Sequence, residues 1–94
     1  MSMLRNAPEI NEKFVSWYRE IFKDGKISLK SKELIAVAVS VANGCVPCYK
    51  HHLEKARQQG WSDDEIREAI AVAEVVSVGR IRNITLDAEK QERG

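Results

Sequence analysis

Cysteine is scarce in this chain, and the two that occur stand three residues apart, as Cys45 and Cys48. So few argue against a disulfide-stapled scaffold, whereas a close pair in a reducing compartment is redox-active or metal-binding. Nothing at the start combines basic residues, an apolar run and a cleavage site, so no export signal is expected. The longest apolar run, Leu34 to Ala42, is too short to span a bilayer. A cytoplasmic location and no membrane partner are the expectation. Excess charge is missing too: 15 Lys and Arg oppose 14 Asp and Glu, for a net +1. That balance argues against a nucleic-acid module, which concentrates basic residues in a patch. No internal repeat, low-complexity tract or linker interrupts the 94 residues, of which 44% are hydrophobic. One small domain spanning residues 1–94, with a serviceable but thin core, is the expectation.

What is present is mostly helical periodicity. Residues 1–8 carry no pattern and read as a lead-in ending at Pro8. From Glu9, residues Ile10, Phe14, Trp17 and Ile21 recur at four, three and four, the mark of an amphipathic helix. Lys23-Asp24-Gly25-Lys26 reads as a loop, and Ser28 or Ser31 can cap a second helix running to about Asn43. That segment is apolar nearly all round. Its valines admit a strand, but its alanines, its length and the Asn43-Gly44 stop favour helix. A third helix is expected from Pro47 to about Gln59. Ser62 and Glu65 then have capping-box spacing, with Trp61 and Ile66 as a hydrophobic staple opening a fourth helix. Gly79 can kink or end that helix, and a charged fifth helix is expected from Arg80 to about Glu92. Two helices apolar on most faces exceed what so short a chain can hide, which points to a homo-oligomer. The alternative is a monomer in which Gly79 folds the C-terminal helix over the open face.

The chemistry concentrates in Asn43-Gly44-Cys45-Val46-Pro47-Cys48-Tyr49-Lys50-His51-His52. Gly44 can end one helix and Pro47 begin the next, which places Cys45 at the helix start, Cys48 in its first turn and His52 one turn further on the same face. Unpaired N–H groups there favour negative charge, so a thiol becomes more acidic and a neighbouring thiol can capture its oxidised form. Zinc would need two further ligands, and His51 and His52 are too close in sequence for the usual finger spacing. Tyr49 stands where covalent haem attachment needs histidine. No strands flank the motif as a thioredoxin-like site requires. An all-helical redox site or a pair of structural core cysteines remains. His52 is the better-placed proton acceptor, with an exchange of roles with His51 left open. Glu33, read alone, is a first-turn glutamate favoured by the helix dipole.

Glu33 followed, twelve residues on, by Cys45-x-x-Cys48-x-x-x-His52, and then by Gly60-Trp61-Ser62-x-x-Glu65-Ile66, resembles the alkylhydroperoxidase D-like branch of the carboxymuconolactone decarboxylase family. The likeness covers about residues 27 to 80. It implies an all-α, AhpD-like bundle of about five helices, trimeric or hexameric assembly, and thiol-dependent peroxidase or disulfide-reductase activity of the peroxiredoxin type. By resemblance, Cys48 is the cysteine oxidised to sulfenic acid, and Cys45 is the more exposed partner that closes the disulfide. His52 and Glu33 are by the same resemblance a relay that deprotonates the attacking thiol. Pro47 stands where well-studied members carry an additional histidine. The implied partners are a peroxide or disulfide substrate and a dithiol reductant; no motif requires a metal, flavin or nicotinamide cofactor. The competing expectation is a non-enzymatic oligomeric module whose cysteines are structural or hold a metal. In a straight antiparallel helix pair Glu33 would lie roughly 16 Å from the turn and His52 about 9 Å, an offset that reach, a water or a steep crossing must close.

Overall fold

Serine and glycine punctuation cuts the chain into helices. The computed structural model describes residues 3–93, all of whose regular structure is helical. A 3-10 turn at Met3–Asn6 precedes α1 (Pro8–Ile21), α2 (Leu29–Asn43), α3 (Val46–Gln58) and α4 (Asp63–Arg93). Part of the expected lead-in is therefore ordered as that turn, and positions 1 and 2 lie outside the described residues. The valine-rich run Leu34 to Ala42 is helix, inside α2.

Ser28, not Ser31, caps α2: its hydroxyl accepts from the Ser31 N–H at 3.1 Å. Gly44 ends that helix with φ 67°, and Gly60 follows the end of α3 with φ 95°. Both are left-handed positions that glycine takes at little cost. Each is stitched by the same pair of bonds, Gly44 N–H to Val41 O with Cys45 N–H to Ser40 O, and Gly60 N–H to Arg57 O with Trp61 N–H to Ala56 O. The capping box at α4 forms as spaced in the sequence. Ser62 N–H donates to Glu65 Oε1 at 2.9 Å, and Glu65 N–H to Ser62 Oγ at 3.1 Å.

The core lies where α2, α3 and α4 meet. Val37, Ala56 and Ile66 are buried there, with Leu34, Tyr49, Leu53, Trp61 and Ile70 packed around them. Trp61 locks this corner by donating its indole N–H to Lys30 O at 2.6 Å while the Lys30 ammonium sits 4.6 Å above its ring.

Helix α1 is attached differently, for it buries none of its residues. The Lys32 ammonium donates to Ile21 O and Lys23 O, both at 2.8 Å, holding the α1 C-terminus beside α2. Asp24 accepts from Leu29 N–H at 2.7 Å in the intervening loop.

The break expected at Gly79 does not occur. Helix α4 runs 31 residues without interruption, so the expected fourth and fifth helices are one. A lone helical glycine costs only about 0.5–1 kcal/mol relative to alanine, and no proline follows to enforce a stop. The chain stretches 52 Å along its longest dimension, with a radius of gyration of 17.5 Å where a compact domain of this length has about 12 Å. Its accessible surface is 7758 Å², against about 5,500 Å² for a compact monomer of this mass. No helix among the described residues is long and apolar enough to cross a membrane.

Candidate active site

The turn between α2 and α3 brings the two sulfurs together. Cys45 and Cys48 form a disulfide, with Cα atoms 5.3 Å apart. Cys45 is the N-cap of α3, and its sulfur accepts from the Cys48 N–H at 3.3 Å. A sulfur at this point meets an unpaired backbone donor and the positive end of a helix, both of which favour a thiolate. Pro47 occupies the first turn, where its missing N–H breaks no intrahelical bond.

One turn beyond Cys48, His52 is buried inside the protein, while adjacent His51 is exposed. The structure thus separates the two histidines that the sequence left exchangeable. Glu33 is likewise buried, and its Oε2 lies in direct contact with His52 Nδ1 at 2.8 Å. The helical offset expected between α2 and α3 is closed by direct side-chain contact. A carboxylate can only accept, so Nδ1 carries the proton in this pair and a neutral imidazole has its lone pair at Nε2. No buried side-chain nitrogen or oxygen among the described residues lacks a partner.

Cys48 sits between two clefts that flank His52. One cleft is lined by Ile21, Phe22, Ile35 and Val39 beside both cysteines; the other by Phe14, Tyr18, Pro47 and His51 beside Cys48. The exposure order differs from that implied by the resemblance. Cys45 is half-buried and Cys48 exposed in the single chain. The N-cap sulfur is folded back on the first turn of α3, whereas Cys48 stands open to both clefts.

Helix α1 and its C-cap contribute two residues that the sequence pattern did not single out, Tyr18 and Phe22. The Tyr18 hydroxyl lies 3.2 Å from His52 Nε2. The Phe22 ring stacks on His52 at 5.1 Å and on Tyr18 at 4.4 Å. Burial, and then the negative charge of Glu33, raise the Tyr18 pKa above the usual phenol value. Their spacing of four is a visible signal, but nothing local says that Tyr18 and Phe22 meet a histidine 30 or more residues on. No group of three or more His, Cys, Asp or Glu among the described residues is arranged to hold a metal ion.

With this geometry in place, comparison with known proteins is decisive. The carboxymuconolactone decarboxylase family matches residues 8–83. The chain belongs to that family. Within it the likeness is to the AhpD-like branch. An alkyl hydroperoxide reductase AhpD from Streptomyces griseus is 43% identical over 58 residues, covering 61% of this chain and 30% of that protein. The chain therefore spans under a third of the length of such relatives. A Paracoccus denitrificans protein known as uncharacterized protein 4 in cox locus is 35% identical over 75 residues, 80% of this chain and 68% of the other. Among solved structures, a protein from Methanobacterium thermoautotrophicum superposes with TM-score 0.83 at 36% identity, over 93% of this chain and 97% of that one. A carboxymuconolactone decarboxylase family protein from Thermotoga maritima gives 0.67 at 26% identity over the full length of both. The family's all-helical fold is the one seen here.

Proposed function

We propose that the protein is a thiol-dependent peroxidase or disulfide reductase working through Cys45 and Cys48. The observation that carries this reading is the buried Glu33–His52 hydrogen bond one turn beyond a bonded cysteine pair. Glu33 fixes the imidazole with an acceptor nitrogen free of its own proton, the form a general base requires. Likeness to proteins named alkyl hydroperoxide reductase supports the same chemistry. Deprotonated Cys48 attacks a peroxide oxygen, the O–O bond breaks, and the sulfur becomes a sulfenic acid. Cys45 then displaces water to form the disulfide, and an external dithiol reductant returns both thiols by exchange. Exposure of Cys48 gives a hydroperoxide access to that sulfur, and the apolar residues Ile21, Ile35 and Val39 beside it suit an organic substituent.

The test mixes fully reduced protein with an organic hydroperoxide and counts free thiols. Loss of two thiols per chain in the wild type, and of none in Cys48→Ser, is the expected result. Wild-type thiols that survive excess hydroperoxide and small disulfides alike overturn the reading.

Self-assembly is part of the proposal. The surface excess over a compact monomer is of the size that obligate interfaces bury. The stripe Ile10, Phe14, Trp17 and Ile21 on α1 and the Ile81, Ile84 and Leu86 side chains of α4 are all about half exposed or more. A trimer or hexamer by native mass spectrometry is the expected outcome; a monomer at micromolar concentration removes this part.

A further inference from the structure

His52 has two ring nitrogens, and both are engaged. Nδ1 meets Glu33 Oε2 at 2.8 Å and Nε2 meets the Tyr18 hydroxyl at 3.2 Å. Neither is left to take a proton from a cysteine directly. The occupant of Nε2 comes from α1, the helix that buries nothing of its own, yet its position is well braced. Phe22 stacks on both the Tyr18 and His52 rings, and Lys32 holds the end of the same helix. Tyr18 and Cys48 line one cleft, with Pro47 and His51.

We propose that Tyr18 is the positioning residue through which His52 acts on Cys48, passing the thiol proton to Nε2 while Glu33 holds the other proton on Nδ1. This deepens the thiol-oxidoreductase reading and rests on it. In the reduced protein the Cys48 S–H gives its proton to the Tyr18 oxygen as the phenol's own proton moves to Nε2. A thiolate, a neutral phenol and an imidazolium held against the Glu33 carboxylate result, with no proton gained or lost. When the thiolate attacks a hydroperoxide, sulfur loses two electrons and keeps one oxygen as S–OH. The O–O bond breaks, and the departing alkoxide takes the proton back along the same route to leave as an alcohol. The phenol's raised pKa suits a group that hands protons on without itself staying charged.

The ionisable and polar groups that face His52 are few. Glu33 comes from α2, Tyr18 from α1, and His51 from the same helix with its ring 4.9 Å away; Lys32, Ser40 and Asn43 of α2 line one neighbouring cleft, and Arg5 of the 3-10 turn lines the other. Among the described residues, Tyr18 alone is hydrogen-bonded to Nε2. A phenylalanine there preserves the ring stack and removes the oxygen alone.

The experiment compares Cys45→Ser with Cys45→Ser/Tyr18→Phe, so that a single thiol is read. Iodoacetamide alkylation is followed across pH, and the His52 tautomer by 15N NMR. Loss of the hydroxyl is expected to slow alkylation at pH 7 about tenfold and raise its midpoint toward the ordinary thiol value near ~8.5. The Nδ1–H tautomer is expected in both variants, since Glu33 still accepts from it. An unchanged midpoint overturns the proposal, because a purely structural tyrosine would leave it in place; so does a midpoint that moves only because the tautomer has switched. Hydroperoxide turnover by the otherwise intact chain separates this inference from the functional reading. A wild type that consumes no hydroperoxide but shows the Tyr18-dependent midpoint keeps the relay and loses the peroxidase. Equal turnover by wild type and Tyr18→Phe keeps the peroxidase and overturns the relay.

Discussion

The two ends of α3 are built on opposite principles. At its C-terminal end Ala56 is buried against Val37 and Ile66, and the chain leaves through Gly60 and Trp61, whose backbone N–H groups and indole are spent on fixing the backbone. At its N-terminal end the interior is polar. Glu33 and His52 are buried together, and Cys48 stands exposed between two clefts. The first arrangement stabilises; the second keeps ionisable groups together where burial of a charge is costly unless it is paired. A single helix thus carries a rigid end and a chemical end, and the rigid end sets the register in which the chemical end operates.

The strongest challenge to that contrast is a substitution at the chemical end that spares the fold. Glu33→Gln keeps an oxygen that can accept from His52 Nδ1 but removes the charge that stabilises an imidazolium. Oxidation of Cys48 by hydroperoxide is expected to slow about 100-fold, the lower range for loss of general acid–base assistance. Thermal unfolding should move by only a few degrees. A large fall in Tm with little change in rate would make Glu33 a brace, and the two ends would no longer differ in kind.

The reciprocal change belongs at the rigid end. Ile66 is 2% exposed in the α2–α3–α4 core. Ile66→Ala is expected to cost about 2–5 kcal/mol through lost burial and an unfilled cavity. For a domain of this size that lowers Tm by at least about 10 °C. Below the new transition the pH midpoint for Cys48 alkylation should match the wild type. A shifted midpoint would show that core packing tunes the thiol directly.

This contrast also explains what was legible in the sequence. The rigid end is encoded locally: Gly44, Gly60 and the Ser62–Glu65 spacing each act within four or five residues, and each does what its pattern implies. Cys45, Cys48 and His52 lie within eight residues, so their shared face could be read from helical geometry alone. Glu33 was different, since its own surroundings suggest only a first-turn glutamate; the family likeness paired it with His52, and the fold supplied the contact. Tyr18 stayed hidden because its contact with His52 spans 34 residues and depends on how Lys32 and Asp24 set the α1–α2 corner. The single α4 was missed for another reason. A glycine's weak helix preference is a small local cost, outweighed by 16 helical residues on one side of it and 14 on the other.

The smallest expected effect lies at the first turn of α4. Ser62→Ala removes one half of the capping box and should cost about 1 kcal/mol near neutral pH, readable by denaturant unfolding. Its partner supplies a pH signature. The Ser62 backbone N–H, and then the Ser62 hydroxyl, hold the Glu65 carboxyl below the usual glutamate range; the Arg57 hydrogen bond and charge do the same for Asp63. A carboxyl whose folded pKa is depressed contributes stability that is complete above its unfolded value, 4.5 for Glu65, and is lost as pH falls through the folded one. Glu65→Gln keeps a capping amide and abolishes the titration. The wild type should therefore be the more stable of the two at pH 7, with the difference closing as the solution is acidified through the folded Glu65 pKa. A gap that persists at the lowest pH would assign Glu65 a packing role instead of an electrostatic one. Cys48 alkylation at neutral pH should be equal in the two proteins, since this corner and the sulfur lie at opposite ends of α3.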